Sequence, residues 1–192
     1  MRLFIAVDPD APARTAIAAS VGRLREGANR REPDLSRSVA WVDAPKLHLT
    51  LHFLGEVDDR RVRLLQSSLA CPIGIEPPEV GFGGWGMFPA HGPPRVVWIG
   101  ITAGLPSLER AHAILEARLA ALGVGVEGRR FSPHLTVGRV KAPAAGHLRD
   151  LLADPDLSVA AQCAVTRCTL YRSRLSPRGS TYEALVHTPF QP

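Results

Sequence analysis

Aromatic residues are scarce in this chain, 6% of 192 residues, and cysteine is scarcer, with three. An odd thiol count leaves one cysteine unpaired under any scheme, and Cys163 and Cys168 are too far apart for a zinc knuckle. Reduced, mostly buried thiols of a cytosolic protein are therefore expected. No apolar run approaches the roughly 20 residues that cross a bilayer. The first run, from Arg2 to Val7, meets Asp8-Pro9 too soon for a signal-peptide core and predicts a strand. A soluble, cytoplasmic protein is expected. There is also no G-x-G-x-x-G after a strand and no Walker A sequence, which removes nucleotide binding of those kinds.

What is present is more ordinary. A hydrophobic fraction of 45% with 21% charged residues belongs to a folded protein and argues against wholesale disorder. Glycine and proline, 17 of each, cluster between apolar runs and predict many short elements joined by turns. The net charge of +5 suits a polyanion such as RNA, although arginine-rich compositions also arise from genome bias, so charge alone decides nothing.

Asp10-Ala-Pro12 predicts an N-cap opening a helix to about Gly27, with a polar, arginine-rich loop from Ala28 to Ser38. Strands are expected at Val39–Val42 and Lys46–Leu54, the second stopped by Gly55. Asp58-Asp59 then opens a helix carrying Val62, Leu65 and Leu69 at helical spacing. Pro72 to Gly86 reads as short extended pieces, and Arg95 to Ile101 as a clear strand. An amphipathic helix with Leu105, Leu108, His112, Leu115, Leu119 and Leu122 follows, ended by Gly123 and Gly125. Phe131–Val140 is extended, His147–Ala153 a short helix, and Cys168–Arg174 and Tyr182–His187 are strands. Several strands are adjacent in sequence, which favours antiparallel sheets with outer helices, an α+β fold.

One internal echo stands out: His48-Leu49-Thr50-Leu51 recurs as His134-Leu135-Thr136-Val137. With this content of His and Thr, two such matches arise in fewer than about one shuffle per thousand, so chance is rejected. On a strand, His and Thr two apart share a face while the aliphatic residues point to the core. Two such strands facing each other would surround a small site with two imidazoles and two hydroxyls. That set suits in-line displacement at phosphorus. One neutral histidine takes a proton from water, the other donates one to the leaving oxygen, and the hydroxyls hold the non-bridging oxygens. Neither a metal nor a covalent nucleophile is required. A zinc site built on His48, His52 and His134 would still need further ligands, and the nearest acid, Glu56, lies beyond Gly55.

The two motifs resemble the H-x-T-x pair of the 2H phosphoesterases. Arg2 to Val7 is similar to the first strand of that family. Trp41 to Gly55, Arg130 to Arg139, Leu170 to Ser173 and Tyr182 to Leu185 resemble its later strands. These landmarks span nearly the whole chain and fit the branch of RNA 2′,3′-cyclic phosphodiesterases, historically described as 2′-5′ RNA ligases. The resemblance implies one bilobal domain over residues 1–192, with pseudo-symmetric antiparallel lobes around a central cleft. It also implies hydrolysis of RNA 2′,3′-cyclic phosphate ends to 2′-phosphomonoesters; a monomer without cofactor is expected. His48 would donate the proton and His134 accept it; the residues alone do not orient the pair.

Around these four residues the expectations divide. Thr50 and Thr136 are phosphate-holding hydroxyls or plain β-formers. Arg130 and Arg139 contact phosphates or decorate the surface, and Phe131 stacks on a base or packs in the core. His52, on the face of His48 and Thr50, replaces the lysine common in such sequences and adds a cation only below its pKa. Gly138 replaces the usual small residue. Met87 and Trp85, in the glycine-rich stretch, are candidates for the cleft rim. Ligation, cleavage of 2′-5′ oligonucleotides or small cyclic nucleotides, and a binding module without catalysis are the competing functions.

Overall fold

The structure, a computed structural model, describes all residues except 32–36, 126–127, 129, 142–145 and 177–178, and the backbone alone at 146–147. In chain order the elements are β1 (Arg2–Val7), α1 (Ala11–Arg31), β2 (Val39–Trp41), β3 (Leu49–Glu56), α2 (Asp59–Leu69), β4 (Glu79–Phe88), β5 (Val96–Ala103), α3 (Leu105–Ala121), β6 (Leu135–Val140), α4 (Gly146–Leu152), β7 (Ala160–Ala164), β8 (Arg167–Ser176) and β9 (Gly179–Pro189). Short 3-10 turns lie at Ala44–Lys46 and Pro155–Leu157.

The strands form one antiparallel sheet in the order β7-β4-β5-β6-β3-β1-β8-β9, with β2 added on β6. That order is a palindrome about the β6/β3 seam. Each motif strand leads outward through a central strand, β5 or β1, to a pair of outer strands. The seam itself is one residue pair, Leu49 with Leu135, so the two motif strands touch there and diverge. Both leucines are fully buried, which anchors the seam in the core while leaving the opposite face open. The curled sheet with helices on its outer side is the α+β arrangement expected.

The helices cross between the halves. α1 follows β1 yet packs on β7, and α3 follows β5 yet packs on β3. Each half therefore lends a helix to cover the other, which ties them across a narrow seam. Asp10 caps α1 through the Ala13 amide at 2.8 Å, and Asp58 caps α2 through the Arg61 amide at 3.0 Å, as their positions predicted. Gly123, with φ +66°, ends α3.

Three boundaries differ from expectation, each for a tertiary reason. α1 does not stop at Gly27 but continues to Arg31. A Cβ at Gly27 would lie 3.2 Å from Leu151 and 3.4 Å from Leu157, so this glycine permits close packing and terminates nothing. Gly55 does not end β3; it takes φ +65° at a register shift against β1, and pairing continues to Glu56. The glycine-rich stretch after Pro72 contains a continuous ten-residue strand, β4. Its Gly86 lies opposite Trp98, where a Cβ would sit 2.2 Å from the indole. β7, of small residues with weak strand propensity, was not anticipated.

No helix among the described residues is long and apolar enough to cross a membrane. The three cysteines are free thiols, Cys163 and Cys168 buried and Cys71 exposed.

Candidate active site

Leu49 pairs with Leu135 across the seam, and counting one residue outward on each antiparallel strand sets the site. His48 falls across from Thr136, and Thr50 falls across from His134. The four polar residues of the two motifs thus share one face as a quartet. All four are partly buried.

Both histidines stand one residue ahead of their strands and are held alike. His48 donates its Nδ1–H to the Lys46 carbonyl at 2.7 Å; His134 donates its Nδ1–H to the Ser132 carbonyl at 2.7 Å. A carbonyl only accepts, so each bond fixes the proton on Nδ1. Nε2 is left to accept a proton or, once protonated, to donate one. Neither Nε2 nor either threonine hydroxyl has a protein partner among the described residues.

Aromatic rings wall both imidazoles. Phe4 and Tyr182 lie 5.0 and 5.2 Å from the His48 ring; Phe88 and Trp98 lie 4.9 and 6.1 Å from that of His134. Burial consequently lowers the pKa of both. For His48 the Lys46 carbonyl and the Asp8 carboxylate act in the opposite direction, while Arg139 and His134 add to the lowering. For His134 the Ser132 carbonyl opposes burial, and Arg139 again adds to it. The Arg139 charge therefore acts on both imidazoles.

A strict two-residue alternation would not put Arg139 there. Between β5 and β6 the register slips at Val137: Trp98 pairs with Thr136, but Val97 pairs with Gly138 and Val96 with Arg139. Between β1 and β3 it slips at the equivalent place: Ala6 pairs with Thr50, but Ile5 pairs with His52 and Phe4 with Phe53. The fourth residue of each motif is the extra residue of a β-bulge, which reverses the alternation beyond it. Arg139 and Phe53 are turned to the site face, and His52 is turned away.

His52 is accordingly placed elsewhere than the regular pattern predicted. It is 4% exposed, lies opposite the buried Ile5, and donates Nε2–H to the His112 carbonyl at 2.9 Å. Its ring stacks on that of His112 at 3.9 Å, and His112 stacks on Phe131 at 4.2 Å. Burial lowers the pKa of both His52 and His112. His52 is a packing residue between β3 and α3, and not a cation in the cleft. Phe131 packs on His112, beside the Ser132 carbonyl that holds His134. Arg130, four residues before His134, is exposed. Among the described residues no three His, Cys, Asp or Glu side chains converge as a cation site. Of the two candidates for the cleft rim, Met87 is buried and Trp85 donates its indole N–H to the Leu157 carbonyl.

Sequence reasoning missed the aromatic walls and Asp8. More than half of the chain's few aromatic residues gather on this face, around Phe4, Phe53, Phe88, Trp98, Tyr171 and Tyr182. Their scarcity was the available signal, but only the sheet order brings them together. Asp8 ends a run of buried residues and accepts a hydrogen bond from the Tyr171 hydroxyl at 2.7 Å. Burial, then this bond, pushes the Tyr171 phenol up to about 12.

Comparison with known proteins places the chain in a family. The family model of the 2′-5′ RNA ligase superfamily matches residues 12–176. A curated protein of Archaeoglobus fulgidus named RNA 2′,3′-cyclic phosphodiesterase is 32% identical over 185 residues, 96% of this chain and 98% of that one. One of Thermotoga maritima with the same name is 29% identical over 100% and 96%. A crystal structure of a Thermus thermophilus protein is similar with a TM-score of 0.71 at 30% identity, over 99% of this chain and 98% of that one. E. coli LigT complexed with ATP gives 0.69 at 26% identity, over 100% and 98%. From a paired motif, a palindromic sheet and these full-length similarities, the chain belongs to the 2′-5′ RNA ligase superfamily, the 2H phosphoesterases that its motifs resemble.

Proposed function

We propose that the protein hydrolyses RNA 2′,3′-cyclic phosphate ends to 2′-phosphomonoesters by acid/base chemistry of His48 and His134, without a metal. The observation that carries this is the matched Nδ1 anchoring, which leaves two Nε2 atoms on one face beside two hydroxyls, all four without a partner among the described residues. Water attacks phosphorus as its proton passes to Nε2 of His134. The P–O3′ bond breaks, and the 3′-oxygen leaves with the proton from Nε2 of His48. Thr50 and Thr136 donate to the non-bridging oxygens, and the Arg139 guanidinium offsets the charge that accumulates there. After one turnover His134 holds the proton taken from water and His48 lacks the one it gave; exchange with solvent removes the first and restores the second. The names of the full-length relatives support the choice of RNA ends as substrate.

The test is incubation of a short RNA ending in a 2′,3′-cyclic phosphate with protein in excess EDTA, beside His48→Ala and His134→Ala. Conversion to the 2′-phosphate by the wild type and loss in both variants is expected. Activity that requires added zinc refutes the metal-free mechanism, and nucleotide binding with no turnover refutes the enzyme. Ligation would show in the same assay as a joined product when a 5′-hydroxyl RNA replaces water as nucleophile.

A further inference from the structure

The two imidazoles occupy equivalent frames, and the frames differ at one decisive position. Ala6 and Val7 pair with Thr50 and Leu49, so the next residue, Asp8, falls across from His48. Trp98 and Ile99 pair with Thr136 and Leu135, so the next residue, Gly100, falls across from His134. The same place in the two halves holds a carboxylate beside one histidine and no side chain beside the other. Gly100 is confined as well: a Cβ there would lie 2.9 Å from the Gly83 carbonyl oxygen, closer than such atoms approach. A second carboxylate cannot be accommodated without moving β4.

Asp8 is held for this position. The Tyr171 hydroxyl donates to its Oδ2 at 2.7 Å. The Phe4 ring stacks on Tyr171 at 5.3 Å and meets the His48 ring at 5.0 Å, which brings the phenol, the carboxylate and the imidazole around one aromatic side chain. From α1, Arg14 reaches the Pro9 carbonyl at 3.1 Å and the Pro45 carbonyl at 3.3 Å. It clamps the residue after Asp8 to the turn whose Lys46 carbonyl orients His48. Asp8 has no hydrogen bond to His48 itself; it acts through its charge. The other groups facing His48 are Arg139 from β6 and His134 just ahead of that strand, whose charges disfavour the imidazolium, and the ring of Tyr182 from β9.

We infer that Asp8 is a positioning residue that keeps the proton of the histidine pair on His48, and so makes His48 the acid and His134 the base. The inference rests on the two-histidine hydrolysis proposed above, but it has a readout that does not need turnover. Two coupled histidines share their titration, and a carboxylate beside one of them decides which is protonated first.

The experiment is an NMR titration of the histidine rings in the wild type and in Asp8→Asn, which keeps an acceptor for Tyr171, with thermal melts to verify folding. The midpoint of His48 moves to lower pH in the variant, and that of His134 does not. In the hydrolysis assay the basic limb of the kcat profile, which reports loss of the acid, moves the same way. The acidic limb stays, and kcat at pH 8 falls about three- to tenfold. Tyr171→Phe provides a second variant that leaves the carboxylate in place without its phenolic donor; the His48 midpoint then moves to higher pH. An unchanged His48 midpoint in both variants overturns the inference, as does a fall of the His134 midpoint or of the acidic limb with His48 unmoved. An inert wild type with a normal shift at His48 would instead refute the hydrolase proposal and leave the role of Asp8 in holding the proton intact.

Discussion

Replacing Gly86 by alanine tests whether the wall behind His134 is packed as described. Gly86 pairs directly with Trp98, and a Cβ there would lie 2.2 Å from Cη2 and Cζ2 and 2.5 Å from Cε2 of the indole. Carbon atoms settle at about 3.5 Å or more, so the ring must retreat by roughly 1.3 Å. It has little room, since Phe88 lies 5.1 Å away and the His134 ring 6.1 Å away. Overpacking of this kind costs about 1–3 kcal/mol, and a chain of this size loses about 2–4 °C of Tm per kcal/mol, so a fall of roughly 2–12 °C is expected. The displaced indole presses on the imidazole, and a misplacement near 1 Å in a catalytic group lowers rate about a hundredfold. Scanning calorimetry and single-turnover hydrolysis of a cyclic-phosphate RNA read the two effects. Gly86→Ala combined with Trp98→Phe, which removes the clashing ring edge, should recover part of both. A variant with native Tm and native rate would refute the packing of Trp98 on Gly86.

Other outcomes follow from the same geometry. Thr50→Val and Thr136→Val, single-atom changes on the site face, should each lower kcat about a hundredfold with little change in Tm; steady-state kinetics and melts decide it. His48, His52, His112 and His134 all have folded pKa values lowered below the ordinary 6.5, chiefly by burial. The unfolded chain therefore binds more protons below 6.5, and stability present above that pH is lost as pH falls through the folded values. Melts between pH 8 and 5 should show this loss, with a shallower slope in His52→Asn, whose amide still donates to the His112 carbonyl. An equal slope would remove His52 from the account. Gly22→Ala on α1, where nothing lies within 4 Å of the new methyl, should raise stability by about 0.5–1 kcal/mol, readable as a denaturant midpoint.

Local rules carried much of the fold. Asp10 and Asp58 announce helix starts because a cap is a contact within four residues, and the leucine spacing of α3 is a property of one helix face. The repeat of His-Leu-Thr was visible because each motif is itself short and local. What could not be read was whatever depends on the strand opposite. The bulges at Leu51 and Val137 exist only against β1 and β5, so the regular alternation assigned His52 to the cleft and left Arg139 undecided. Gly27 and Gly86 of β4 read as breakers because the side chains packed on them, Leu151, Leu157 and Trp98, are remote in sequence, and Gly55 because β1, against which the register shifts there, is remote as well. Asp8 carries no local signal for the same reason: its importance lies in being across from His48, with nothing equivalent at Gly100.

The anchoring of both imidazoles on main-chain carbonyls has a practical consequence for anyone mapping this site by mutation. The acceptors belong to Lys46 and Ser132, yet no change of those side chains removes a carbonyl oxygen. An alanine scan would pass over both positions and score them as dispensable. The two atoms that set which nitrogen carries the proton are written into the path of the backbone, where substitution does not reach them and only a change in the course of the chain would.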